Sequence, residues 1–167
     1  VNPSVSSPAG DDTDGLTVTN SGTIRANNSK GINLLDAINA TVTNNSGGTI
    51  RAKTNTISVS KSGTTPDNIN ITNSGTIYST NASTNTILLH SNSTNSTVTN
   101  NAGGHIYNES TAATITIGKT TTLTNSGKIE NKKIDKVAIT VDGADSTVVL
   151  KNGGIIIGKI KNNKNRN

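Results

Sequence analysis

Cysteine, methionine, phenylalanine and tryptophan are all missing from this sequence, and Tyr78 and Tyr107 are its only aromatic residues. Each absence closes a route. Without cysteine there are no disulfide staples, no thiolate nucleophile and no zinc-finger ligand set. With 29% of residues apolar and no large rings, a thick globular core cannot be filled. No apolar run approaches the roughly 20 residues that a membrane helix needs, so a soluble stretch is expected. No charged-then-apolar leader follows Val1, so a signal peptide is expected to have been removed or to lie elsewhere. The 167 residues suit one domain. A chain this rich in Asn, Ser, Thr and Gly stays disordered unless its pattern allows a thin core to suffice.

The pattern is a repeat. TVTNSGTIRA begins at Thr17, TVTNNSGGTIRA at Thr41, NITNSGTIYS at Asn70, TVTNNAGGHIYN at Thr97 and TLTNSGKIEN at Thr122, with a worn copy, VVLKNGGIII, from Val148. Aligned on Asn20, Asn44, Asn73, Asn100, Asn125 and Asn152, the copies step by 24, 29, 27, 25 and 27 residues. A period of that size signals a solenoid.

Within each copy apolar residues alternate with polar ones across an Asn-Gly bend, the period-2 signature of strands. Thr, Val and Ile favour strands, while Asn, Gly and Ser favour turns. A second alternating segment lies between copies: Ile32 and Leu34, Ile57 and Val59, Ile87 and Leu89, Ile115 and Ile117, Ile139 and Val141. The expected fold is therefore all-β, a right-handed parallel β-helix of about six coils with three short strands each. Residues 1–15 are expected to form an opening segment or cap, 16–158 the repeats, and 159–167 a basic tail.

Stacking would align Val18, Val42, Ile71, Val98, Leu123 and Val148 in one inward column, and Ile24, Ile50, Ile77, Ile106 and Ile129 in another. Such a core is one side chain wide, which reconciles the low apolar content with folding. At about 4.8 Å per coil, six coils extend roughly 29 Å. The corner asparagines have a functional reading as ligand contacts. They also have a structural one, in which Asn tolerates left-handed backbone and its amide bonds to the Asn of the next coil. Recurrence in step with Gly22, Gly47, Gly75, Gly103 and Gly127 favours the structural reading.

The TVTNSGTI phrase, with its step in the mid-twenties, resembles the passenger domains of bacterial type V autotransporters and is similar to filamentous-haemagglutinin-like β-helices, over roughly Leu16 to Ile157. The resemblance implies a protein exported across the outer membrane, secreted or held on the cell surface, acting as an adhesin or host-interaction virulence factor. Its implied partners are a host cell-surface protein or a sulfated glycan, with possible self-association. A released ligand of a host receptor, such as the pro-angiogenic passengers, is the alternative it leaves open. No membrane barrel and no protease module occurs within these residues.

Catalysis finds little support in the residues. The calcium-binding GGxGxD nonapeptide and a six-residue step are both absent. Polysaccharide-degrading β-helices use clustered carboxylates, whereas Asp142 and Asp145 are the only close acidic pair in the repeats, and their Asp-Gly-Ala-Asp setting reads as a turn. Asp11, Asp12 and Asp14 belong to the opening segment. His90 and His105 are expected to be exposed and without company. No nucleophile elbow, P-loop or metal-spaced cluster appears, so no cofactor and no catalytic residue is expected. The sequons at Asn39, Asn70, Asn92 and Asn108 are what so Asn- and Thr-rich a chain produces by composition alone.

The outer face offers more. The residue after each inward Ile forms an outward column of Arg25, Arg51, Tyr78, Tyr107 and Glu130. Arginine and tyrosine are enriched at interaction hot spots, and equally they can shield a strand surface by stacking on one another. Charge is lopsided, with net −1 up to Gly118 and net +6 from Lys119 onward. Lys132, Lys133 and Lys136 lie in one link, while Lys159, Lys161 and Lys164 lie in the tail. Such clusters attract sulfated glycans or anionic surfaces, or merely keep a protein soluble. Nucleic acid is not expected, because no stacking aromatics lie nearby.

Overall fold

The structure is a computed structural model that describes residues 14–80 and 83–163. Residues 1–13, where most of the expected cap falls, and Lys164 lie outside the described residues. Among the described residues every regular element is a strand, and eighteen strands wind into three six-stranded parallel sheets, one strand per sheet per turn. Sheet 1 contains β1 (Thr17–Asn20), β4 (Thr41–Asn44), β7 (Asn70–Asn73), β10 (Thr97–Asn100), β13 (Thr122–Asn125) and β16 (Thr147–Leu150). Sheet 2 contains β2 (Thr23–Ala26), β5 (Thr49–Ala52), β8 (Thr76–Ser79), β11 (His105–Asn108), β14 (Lys128–Asn131) and β17 (Ile155–Ile157). Sheet 3 contains β3 (Ile32–Leu35), β6 (Ile57–Ser60), β9 (Ile87–Leu88), β12 (Ile115–Ile117), β15 (Val137–Val141) and β18 (Lys159–Asn162).

The chain is therefore a parallel β-solenoid of six coils. The expected columns form in register: Val18 pairs with Val42, Val42 with Ile71, Ile71 with Val98, Val98 with Leu123 and Leu123 with Val148. Ile24, Ile50, Ile77, Ile106 and Ile129 stack likewise, and Ile156 extends them. The side chains of Val42, Ile50, Ile71, Ile77, Val98, Ile106 and Leu123 are fully removed from water. Sheet 3 departs from simple alternation. Ser58, Thr116 and Thr140 stand in outward register but are buried, because small side chains sink between larger neighbours such as Asn85, whose amide donates to Thr116 Oγ1 at 2.9 Å.

A buried amide ladder runs up the corner between sheets 1 and 2. Asn20 Nδ2 donates to Asn44 Oδ1 at 2.7 Å, Asn44 to Asn73 at 2.8 Å, Asn73 to Asn100 at 2.9 Å and Asn100 to Asn125 at 2.8 Å. The second proton of each of these four amides meets a carbonyl of its own corner, Gly22, Gly48, Gly75 or Gly104. Polar groups in a dry interior are tolerated only when satisfied in this way.

Three expectations about the corner are corrected. Asn152 is not a rung: Asn125 pairs with Leu150, and Asn152 is exposed in the turn beyond, as the KNGG spelling is the long form of the corner, shifted by two residues. The ladder asparagines do not use left-handed backbone, because they sit in strands. Left-handed backbone instead recurs two positions before each sheet 1 strand, at Gly15, Asn39, Asn68, Asn95, Thr120 and Asp145. Finally, the glycines in vertical register are Gly22, Gly48, Gly75, Gly104, Gly127 and Gly154, since Gly47 and Gly103 are extra residues with φ of 78° and 81°.

Those extra residues reveal an alternation. The corner between sheets 1 and 2 takes two residues in the first, third and fifth coils and four in the second, fourth and sixth. Neighbouring corners interlock: Asn45 donates to Ser21 Oγ at 2.8 Å and Asn101 to Ser74 Oγ at 2.9 Å.

Candidate functional site

Sheet 2 carries the expected outward column, with Arg25, Arg51, Tyr78, Tyr107, Glu130 and then Ile157 in register. In its middle the two tyrosine rings stack at 4.6 Å between centroids and 10° between planes. Lys132 Nζ lies 3.7 Å from the Tyr107 ring centroid, and the Arg51 guanidinium lies 6.0 Å from that of Tyr78 while donating to its hydroxyl at 3.2 Å. The tyrosines thus face each other and are flanked by cations. Burial pushes the Tyr107 phenol up to about 12, with the neighbouring Tyr78 and Glu109 adding to the rise, so it stays neutral.

His105 has company, contrary to expectation. Its Nε2 is 3.1 Å from Glu130 Oε2, and its ring lies 4.7 Å from that of Tyr107. Lys128 Nζ approaches the same Glu130 oxygen at 2.8 Å. The Lys128 hydrogen bond is the main reason the Glu130 carboxyl lies below its ordinary value, and burial is the main reason the His105 ring lies below its own. A neutral ring next to a carboxylate has one role open to it, donating the Nε2 proton to Glu130. The contact was hidden in the sequence because 25 residues separate the pair. The coil period brings them together. Ser126 lines the same shallow hollow as His105 and Lys128, yet no hydrogen bond joins it to His105.

The arginine end of the column is different. Arg25, Arg51 and Lys53, with Ala26, Asn27, Ala52 and Thr80, line an open depression of about 610 Å³, and no carboxylate is among its described lining residues. Arg25 Nε donates to Asn27 Oδ1 at 2.6 Å, which fixes its reach. Among the described residues, none of these three cations forms a salt bridge. Lys53 was missed in the sequence. Its signal was available, since it lies two positions after Arg51 and so on the same side of the chain.

The lysines behave unequally. Lys132 is spent on Tyr107 and on Glu109 at 3.2 Å. Lys133 and Lys136 are exposed in the turn before β15. Lys159 and Lys161, placed by expectation in a tail, belong to β18, where Ile160 pairs with the inward Ile139 and completes the sixth coil. The Lys159 N–H donates to the Lys136 carbonyl at 3.0 Å, so the exposed lysines of turn and strand adjoin. Asp145 is on a turn with φ of 55°, and Asp142 accepts from Asn163. Among the described residues, no three His, Cys, Asp or Glu side chains are grouped so as to hold a metal ion. Nor is any helix long and apolar enough to cross a membrane.

Fold and surface together define a three-sided parallel β-solenoid with a charged and aromatic stripe along one side. Comparison with protein-family models, with curated proteins and with solved structures finds no match.

Proposed function

We propose that this chain is a non-catalytic binding rod of the autotransporter-passenger kind, an adhesin carried on or released from the bacterial surface. In this reading it takes a sulfated glycan of the host surface at Arg25, Arg51 and Lys53. The observation that carries the reading is the depression these cations line, without a carboxylate among its described lining residues and built on in-register strands. Guanidinium forks match sulfate oxygens two at a time, and Arg25 and Arg51 stand one coil apart, about 4.8 Å by strand spacing. A polyanionic chain laid along the rod axis would meet both forks and the Lys53 ammonium. The non-catalytic part rests on Asp142 being engaged by Asn163 and on His105 being committed to Glu130 and unlinked to Ser126.

Heparin chromatography tests the reading. Replacing Arg25, Arg51 and Lys53 together with Gln should move elution to markedly lower salt, while replacing Lys133, Lys136, Lys159 and Lys161 should shift it less. Unchanged retention of the first variant would overturn the proposal.

A further inference from the structure

The outward side of sheet 1 has a character unlike the rest of the molecule. Its strands read Thr-Val-Thr in β1, β4 and β10, Thr-Leu-Thr in β13 and Asn-Ile-Thr in β7, each with the central apolar residue inward. Two outward columns result. One consists of Thr17, Thr41, Asn70, Thr97, Thr122 and Thr147, and the other of Thr19, Thr43, Thr72, Thr99 and Thr124, ending at Val149. Pairing along the whole sheet proceeds without a register shift. No charged and no aromatic residue occurs in its six strands.

In the first of these columns Thr97 donates to Asn70 at 2.7 Å, and elsewhere on the surface stacked polar residues bond to one another likewise. Asn68 donates to Asn39, Asn45 to Ser21, and Asn101 to Ser74. Among the described residues, the Thr19, Thr43, Thr72, Thr99 and Thr124 hydroxyls find no hydrogen-bond partner. Five hydroxyls in a row, each beside its own methyl, therefore look outward for partners. Threonine is stiff at χ1, so the array is preorganised. Its spacing is set by the fold at about 4.8 Å from coil to coil and about 6.7 Å between the two residues of a strand.

A neutral array of in-register threonines, interrupted by Asn70 in one column and by Val149 at the end of the other, offers nothing to a charged partner and no ring for a sugar to stack on. It does offer a template for water. Oxygen positions in hexagonal ice repeat at distances close to both of these spacings, and waters held between the threonine columns can continue such a lattice with little loss of freedom. We infer that the outer face of sheet 1 binds the surface of ice crystals, through Thr43, Thr72, Thr99 and Thr124 at its centre. The inference stands apart from the glycan reading, which concerns sheet 2.

The test is capture by ice. A fluorescently labelled full chain, stirred around a slowly growing ice hemisphere, should be incorporated into the ice, and single crystals grown in its presence should become faceted. Thr72→Tyr and Thr99→Lys, which project outward and leave the inward columns untouched, should abolish capture. Thr76→Tyr, the same kind of change on sheet 2, should not. Circular dichroism matching the parent confirms that each variant is folded. Exclusion of the parent from ice, or capture of both sheet 1 variants at the parent level, would overturn the inference. Heparin retention of the same samples reports separately on the other site.

Discussion

At the scale of single residues the molecule depends most on amides it hides. The Asn73 side chain serves four partners: it accepts from the Gly75 N–H and from Asn44, and donates to Asn100 and to the Gly75 carbonyl. Replacing Asn73 with Ala strands the Gly75 N–H, one amide proton of Asn44 and Asn100 Oδ1 in a water-free corner, while the Gly75 carbonyl keeps the His105 N–H; one buried unsatisfied group costs about 1–3 kcal/mol. A loss of about 3 kcal/mol or more is expected, read as a lower guanidinium midpoint, and Asn20→Ala at the open end of the ladder should cost less. The ladder was legible from Asn recurring in step with the repeat. Its end was not, since matching on the letter Asn selected Asn152, whereas matching the Gly-Gly of the long corner selects Leu150. The fate of the tyrosines was equally hidden, because Lys132, two positions after Glu130 as Lys53 is after Arg51, meets Tyr107 only once the coils stack.

Strands and corners form the next scale. The strands follow from β-branched alternation, and in sheet 1 the first five end alike at Asn20, Asn44, Asn73, Asn100 and Asn125, a turn-favouring residue. The corners were harder. Glycine occupies the same position in every copy, but its neighbours differ. A Cβ on Gly75 would lie 2.2 Å from the Gly48 carbonyl oxygen and 2.5 Å from that of Asn45, both backbone atoms of the coil below, whereas a Cβ on Gly22 meets nothing within 4 Å. Gly75→Ala should therefore cost about 3 kcal/mol, the upper range for overpacking, while Gly22→Ala should leave thermal unfolding nearly unchanged. The left-handed residue before each sheet 1 strand had a signal too, in Gly15, Asn39, Asn68 and Asn95, but Thr120 breaks it. With φ of 48°, that β-branched residue is held in place where Asn95 N–H donates to its hydroxyl at 2.8 Å.

For the whole molecule, one spine supports three unlike sides: uncharged threonine on sheet 1, charge and rings on sheet 2, and a largely buried outer surface on sheet 3. The period and the alternation made the spine legible, whereas the sides depend on which residues meet across coils. The sixth coil differs again, since Leu150, Ile155, Ile157 and Ile160 are each at least 43% exposed. The interlocking of short and long corners has a further consequence, for inheritance. A gene for this rod cannot gain or lose windings one at a time without setting two like bends on each other, so its natural currency of duplication is the pair. Excising residues 45–100, which joins Asn44 to Asn101, should leave a shorter protein that still unfolds cooperatively. Excising 45–73 retains more chain yet should melt at a lower temperature than the shorter variant, and calorimetry of the two would decide whether the rod grows in twos.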